Sequence, residues 1–441
     1  MPKFRAQSQL VFAAIVPWLT LFVSSGHVVA ADHISGATAS SDALSNEIED
    51  DELGCLNDCL VGDCFTERTG FSLRGWLDQG FCWNPDSPRD RFNGPLSQTD
   101  RANEYQLNQL YFIAARPADT ESDSLSIGFQ ADLMYGTDAF FFNALGLFDN
   151  VVSESNSRFY GLAMPQLYAE IYSPIGRGFT LKMGRWFALV GYETGLATED
   201  FFYSHTIGFN PAAYSHTGFL LSFDVTDQIS MSHGLHRGAD VWEDNNNNLS
   251  YAGSIAWTSC SEETVITYAM NFGAEQDERA DWQDLDGKPG PDSPGENLTR
   301  VNYSLILEQQ LTDQLQYVFV HDYVFQEGSQ RYAIDQAEGY GVAQYLFYDM
   351  SNQLSAGARL EIYRDDDGLA GAGFRSGNAA APCVYTNLSL GLKIQPSDRF
   401  FVRPELRWDW QDLDNKADTP AFDDGTSTRQ FLFACDAVLT F

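Results

Sequence analysis

The chain has 441 residues, 44 % of them hydrophobic, and 61 acidic against 26 basic side chains give a formal net charge of −35. So acidic a surface excludes phosphate-backbone recognition as a main task, since that affinity is supplied by Lys and Arg, and nucleic acid is not an expected partner. Beyond the N-terminus no apolar run approaches the ~20 residues that a spanning helix needs, which excludes a helical membrane bundle.

Taken in chain order, Lys3 and Arg5 precede an apolar stretch from Leu10 to Val23, broken only by Pro17 and Thr20, and small residues follow at Val28-Val29-Ala30-Ala31. Residues 1–31 read as a secretory signal peptide cleaved after Ala30 or Ala31. No cysteine stands where a lipoprotein signal would need one. Residues 32–69 form an acidic leader: from Asp32 to Glu67 there are ten Asp or Glu and no Lys or Arg. It lacks periodicity and is expected to be a mostly disordered periplasmic segment. It holds Cys55, Cys59 and Cys64; the other cysteines are Cys82, Cys260, Cys383 and Cys435. In an exported chain disulfides are the first expectation, the odd total of seven leaves at least one thiol unpaired within the chain, and the spacing matches no zinc motif.

From Gly70 onward the pattern has a period of two. Leu125, Ile127, Phe129, Ala131 and Leu133 make an apolar face against Ser126, Gly128, Gln130 and Asp132, and Arg403, Glu405, Arg407 and Asp409 alternate with Val402, Leu406, Trp408 and Trp410. Sixteen such strands are predicted, at 70–82, 105–116, 124–135, 165–174, 178–186, 215–224, 228–237, 250–258, 264–273, 298–308, 314–325, 338–348, 352–363, 384–394, 399–410 and 428–441. The connections alternate in length: 83–104, 136–164, 187–214, 238–249, 274–297, 326–337, 364–383 and 411–427 are long, with short turns such as Gln395-Pro396-Ser397-Asp398 between them. Lipid-exposed backbone must be satisfied internally, so only helices and closed barrels span a bilayer. The expected fold is all-β: a transmembrane antiparallel β-barrel of about 16 strands over residues 70–441, with short periplasmic turns and long extracellular loops. The segment from Phe431 to Phe441 alternates strictly and stops on an aromatic residue, as a closing strand read by the barrel assembly machinery would. A soluble β-sandwich or propeller is disfavoured by strand length, the ordered loop asymmetry and the absence of a blade repeat.

The same alternation places charges inside: Asp132, Glu170, Lys182, Arg359, Glu361, Lys393, Arg403, Glu405, Arg407 and Asp409 are the expected pore-lining residues. In lipid each midplane Arg or Lys would cost ~2–4 kcal/mol. A barrel of this size leaves an aqueous channel unless something fills it. The basic residues could face Asp132 and Glu170 across the lumen and set up a transverse field, or pair locally and stiffen the wall; local pairing is the preferred reading. The third long connection carries Phe201-Phe202-Tyr203-Ser204-His205-Thr206, and Tyr-Ser-His-Thr recurs at 214–217. In general porins the third loop folds inward, and by resemblance to that plan Tyr203, His205, Tyr214 and His216 are candidates for a constriction. No carboxylate or cysteine accompanies these histidines at a metal-binding spacing. The acidic stretch Asp284-Leu285-Asp286-Gly287 with Asp292 and Glu296 lacks the full calcium-loop pattern. There is no G-x-S-x-G nucleophile elbow. No catalytic residue, cofactor or metal is expected.

Arg101-Ala102-Asn103-Glu104-Tyr105-Gln106-Leu107-Asn108-Gln109-Leu110-Tyr111, Asp132-Leu133-Met134-Tyr135-Gly136-Thr137-Asp138, Pro165-Gln166-Leu167-Tyr168-Ala169-Glu170, Lys182-Met183-Gly184-Arg185-Trp186, Gly191-Tyr192-Glu193 and Ser215-His216-Thr217-Gly218 together resemble the OmpL-like β-barrel porin family. The resemblance covers about residues 70–441 and is densest between 101 and 225. It implies an outer-membrane barrel that passes small solutes, and it carries over no catalytic residue. The expected function is passive diffusion of small hydrophilic solutes with a weak preference for cations, set by the net acidity against the basic cluster. Two alternatives stand beside it: a structural or surface-attachment barrel with a closed lumen, and an oligosaccharide or peptide channel using Tyr168, Tyr172 and Trp186. Outer-membrane lipid is the expected surroundings, and porins of this size are often homotrimers.

Overall fold

A β-strand turns successive side chains to opposite faces, and here the strands expose an apolar face and bury the other, which carries most of the polar and charged residues. In the strand around Asp132, Ile127, Phe129 and Leu133 are exposed, whereas Asp132 and Met134 are buried. A water-soluble sheet would bury the apolar face; a barrel wall in lipid inverts that arrangement.

The computed structural model describes residue 66 and residues 68–148, 159–244, 246–275, 298–329, 334–370 and 381–441. Residues 1–31, expected to be a signal peptide, nearly all of the 32–69 segment with Cys55, Cys59 and Cys64, and the Asp284–Glu296 acidic stretch lie outside the described residues. The strands are β1 (Ser72–Trp83), β2 (Tyr105–Arg116), β3 (Ser126–Gly136), β4 (Gly161–Ala163), β5 (Leu167–Ser173), β6 (Phe179–Phe187), β7 (Ser215–Asp224), β8 (Ile229–Ala239), β9 (Ser250–Thr258), β10 (Thr264–Ala274), β11 (Thr299–Thr312), β12 (Leu315–Ser329), β13 (Ile334–Ser351), β14 (Leu354–Asp365), β15 (Cys383–Ser397), β16 (Phe400–Leu413) and β17 (Arg429–Thr440). All pairings are antiparallel between chain neighbours, and β17 pairs with β1, with Thr440 opposite Trp76, to close the ring.

β4 and β5 both pair with β3 and form one stave interrupted at Met164-Pro165-Gln166. Pro165 has no N–H to give a ladder, and the Asp132 N–H bonds the Gln166 carbonyl at 2.9 Å across the break. The barrel therefore has sixteen staves, as the alternation predicts, but the fourth begins at Gly161 rather than near 165. The expected long connection at 326–337 is mostly strand. β13 runs for 18 residues, well past the 9–11 that cross a bilayer, so the β12–β13 hairpin continues beyond the membrane.

The interior is packed by loops. We label the connection after β1 (residues 84–104) L1 and that after β6 (188–214) L3. Four apolar clusters join wall to loop. Leu196 and Ala197 of L3 lie among Trp76, Tyr111 and Met134, and Leu96, Tyr203 and Ile207 among Tyr363, Tyr385 and Leu432. Phe202 lies among Ile306, Val318, Val320 and Tyr345, and Leu189 covers Tyr168, Trp186, Leu220 and Ala252. Full burial of one such large side chain contributes ~1.5–3 kcal/mol, so the loop is held as part of the molecule's core.

Candidate functional site

Five charged side chains on β14 and β16, Arg359, Glu361, Arg403, Glu405 and Arg407, converge on L3, and Asp409 supports Arg407 from behind. Positions 359 and 361, and 403, 405, 407 and 409, point inward because each pair is two residues apart on a strand. Arg359 is fully buried; its Nη1 donates to Glu193 Oε1 at 2.7 Å and to the Ser204 carbonyl at 2.6 Å, and its Nη2 donates to Ser204 Oγ at 2.8 Å and Ser389 Oγ at 3.1 Å. Glu361 accepts the N–H groups of Ile207 and Gly208 at 2.8 and 2.7 Å and bonds the Asn387 amide. Glu405 accepts the Ser204 N–H at 2.9 Å and its hydroxyl at 2.6 Å. Arg407 donates to Asp409 at 2.8 Å, Ser204 Oγ at 2.9 Å and the His205 carbonyl at 2.5 Å. Arg403 pairs with Asp436 of β17 and donates to the Asp200 carbonyl at 2.6 Å.

The mixed signs have a local physical cause. An irregular loop inside a barrel exposes unpaired backbone N–H and C=O groups that must be satisfied. Carboxylates at 361 and 405 take the donors, guanidiniums at 359, 403 and 407 take the acceptors, and Glu193 returns charge to Arg359 while accepting Thr206 N–H at 2.8 Å and Tyr345 OH at 3.1 Å. The bed also has three notches. A Cβ on Gly80 would sit 2.6 Å from the Tyr203 ring, one on Gly391 would sit 3.0 Å from Phe202, and one on Gly357 would overlap Phe201.

Asp132, Glu170 and Lys182 lie apart from this bed, and Lys393 lies within it on β15. Asp132 accepts Tyr111 OH at 2.6 Å, Gln166 at 3.0 Å and Gln130 at 2.9 Å, while Glu170 accepts the Ala118 N–H at 2.6 Å. Lys182, opposite Glu170 in the ladder, rests 4.5 Å from the Tyr168 ring centre, and Lys393 rests 4.4 Å from that of Phe401. L3 stands between Asp132, Glu170 and Lys182 and the β14–β16 cluster, whereas Lys393 is on β15 within that arc. The basic cluster therefore meets neither an open lumen nor only its own wall neighbours; its principal partner is a loop some 150–200 residues away in sequence.

Of the predicted constriction residues, Tyr203 and His205 sit inside L3: the Asn108 amide donates to Tyr203 OH at 2.7 Å, and His205 bonds Asp200 at 3.1 Å. His216 requires correction, whereas Tyr214 is the last residue of L3. Tyr214 packs against Phe142, ring centres 4.7 Å apart, where the loop returns to the wall. His216 belongs to β7, where its backbone pairs with Trp186 and its ring lies against Trp186 and His236. The repeated tetrapeptide misleads because its second copy opens a strand. Tyr168 and Trp186 lie beneath Leu189.

Four participants were not singled out from sequence. Glu193 and Asp436 complete the buried pairs; Asp436 shares an inward register with Ala434 and Val438, so alternation alone marks its position. L1 backs the loop, with Gln98 donating to the Gly195 carbonyl at 3.0 Å and Asn210 to that of Pro95 at 2.6 Å. Glu199 of L3 faces open water on one side, as does Arg74 of β1. Enclosure by the barrel pushes the Glu199 carboxyl up to about 7, Asp200 beside it adds to the rise, and Thr194 and Arg74 draw it back. Burial alone would raise Asp200 too, but its hydrogen bond to His205 holds it below the ordinary carboxylate value.

Every stave has an inward side chain that is at most 8 % exposed: Trp76, Tyr111, Asp132, Tyr168, Trp186, Leu220, His236, Ala252, Ala269, Ile306, Val320, Tyr345, Arg359, Ser389, Arg403 and Asp436. A cavity of about 20 Å³ remains between L3 and β11–β13. Among the described residues no group of three or more His, Cys, Asp or Glu is placed to hold a metal ion, and Cys82, Cys260, Cys383 and Cys435 are free thiols.

A family model described as "Putative beta-barrel porin-2, OmpL-like" matches residues 70–441. A comparison with curated protein sequences finds no match. Among solved structures the chain is similar to the outer-membrane channel DcaP of Acinetobacter baumannii, at 10 % identity and TM-score 0.53 over 84 % of this chain and 97 % of that one. It is similar to Salmonella typhi OmpF at 12 % identity and TM-score 0.53, over 84 % and 97 % of the two chains. It is also similar to an anion-selective porin from Comamonas acidovorans at 11 % identity and TM-score 0.51, over 84 % and 99 %. At these identities the likeness concerns the fold.

Proposed function

Because the chain belongs to the OmpL-like β-barrel porin family, we propose that it lets small hydrophilic solutes diffuse passively across the outer membrane. The observation that carries this reading is a closed ring of staves with an apolar, exposed outer face and a charged interior crossed by one inward-folded loop. The protein does no chemistry in this reading and needs no cofactor. It is exported, inserted by the barrel assembly machinery and surrounded by outer-membrane lipid, with assembly into a homotrimer.

Selectivity follows the charges that water can reach. Arg359, Arg403 and Arg407 are each compensated by a buried carboxylate, so they contribute little net field. Glu199 is open to water, and the chain as a whole carries −35. The preference is therefore for cations. The test is the reversal potential of single channels in a salt gradient: a cation-selective sign is expected, and an anion-selective sign would assign the field to Arg74, Lys182 and Lys393 instead. The tight packing around L3 favours one other reading, a structural barrel with a closed lumen; absence of any ion current from a folded barrel, including one lacking L3, would select it.

A further inference from the structure

L3 crosses the whole lumen. Its apolar side chains meet the wall in four directions: Leu196 against β1 and β2, Tyr203 against β14–β17, Phe202 against β11–β13 and Leu189 against β5–β9. A loop that only narrowed a pore would leave part of the ring bare. Here every stave has an inward side chain at most 8 % exposed, and a pocket between L3 and β11–β13 holds about 20 Å³, room for about one water. Water does reach the underside, where Glu199 and Arg74 are exposed.

The contacts that hold this disc are reversible. L3 contains no cysteine, and its polar anchors are hydrogen bonds from the loop backbone to charged side chains of β14 and β16. Burying Arg359, Glu361, Glu405 and Arg407 against the loop carries a large desolvation penalty that nearly cancels the attraction, so releasing them into a wet lumen recovers hydration. The apolar contacts are to separate side chains spread round the ring.

We propose that L3 is a displaceable plug: the barrel rests shut, and solutes pass when the segment from Asp200 to Gly208 leaves its bed on β14–β16. This rests on the porin reading above, and the test separates the two. Currents across planar bilayers are recorded for the wild-type protein and for a variant in which residues 198–209 are replaced by a short Gly-Ser turn, each shown to be folded by heat-modifiable gel mobility. The plug predicts a wild type that is closed most of the time with brief openings, and a variant that is open continuously. A wild type that conducts steadily, at the variant's level or a constant fraction of it, overturns the plug and leaves the pore. Silence from both folded barrels overturns both.

A second readout needs no loop excision. Cys82 and Cys383 are native thiols, fully buried in the cluster that contains Tyr203 and Ile207. Glu405→Gln removes the charge that holds Ser204 and should speed their modification by a membrane-impermeant maleimide about tenfold or more, the effect of losing charge-assisted hydrogen bonds. An unchanged rate in a folded Glu405→Gln barrel would contradict a displaceable loop.

Discussion

Arg359 shows how much one side chain can organise. It is fully buried and joins Glu193, Ser204 and Ser389, so Arg359→Met leaves the Glu193 carboxylate buried without its cation. Breaking a buried pair by removing one partner costs about 3–5 kcal/mol. L3 should loosen, and chymotrypsin should cut at Phe201, Phe202 or Tyr203, which the folded wild type protects; Arg359→Lys should not restore protection, because an ammonium lacks the planar fork. Glu199 carries a pH dependence. With its carboxyl pushed up to about 7, it is largely neutral below that value and anionic above. Cation preference should therefore grow as pH rises through neutrality, and Glu199→Gln should flatten the profile of reversal potential against pH. The inward placement of the charged residues is legible in sequence because period two leaves no other lipid-compatible arrangement. Their partners are not, since Ser204 and His205 lie 155 and 202 residues from the arginines they meet.

At the scale of elements, L3 is recognisable as a long aromatic connection, but what seats it is written in three other strands as missing side chains. Gly80, Gly357 and Gly391 leave the room that the Tyr203, Phe201 and Phe202 rings occupy. An inward glycine in a strand looks like a weak point until the element lying on it is known. Gly357→Val and Gly80→Val should leave the wall folded, with unchanged heat-modifiable mobility, and expose L3 to chymotrypsin; protected L3 in both would show that the notches do not seat it. The same distance from local pattern explains the other differences. Pro165 divides a stave that alternation alone places from 165 to 174, and β12 and β13 extend through residues whose polarity reads as loop. L1 carries few apolar residues, so nothing local signals that residues such as Thr99 and Asp100 are buried inside the barrel.

For the whole molecule, closure is decided at the seam. Gly75 and Phe441 exchange two backbone hydrogen bonds, of 2.8 and 2.9 Å, and the Phe441 ring lies over Gly75 and 5.7 Å from the Phe112 ring. Deleting Phe441 removes both bonds and the ring, and should lower the yield of the heat-modifiable form; Phe441→Ala removes the ring alone and should lower it less. Equal yields would show that the seam closes without this contact. The architecture was the most legible part of the chain because lipid imposes one rule on every stave. The filling of the lumen was the least legible, because it depends on contacts between distant segments. Diffusion of small hydrophilic solutes through this barrel is read out by osmotic swelling of proteoliposomes in uncharged sugars of graded size. Swelling should fall steeply with sugar size and become faster when L3 is excised. No swelling in the smallest sugar, with or without L3 and with the barrel shown to be folded, would contradict diffusion through the barrel.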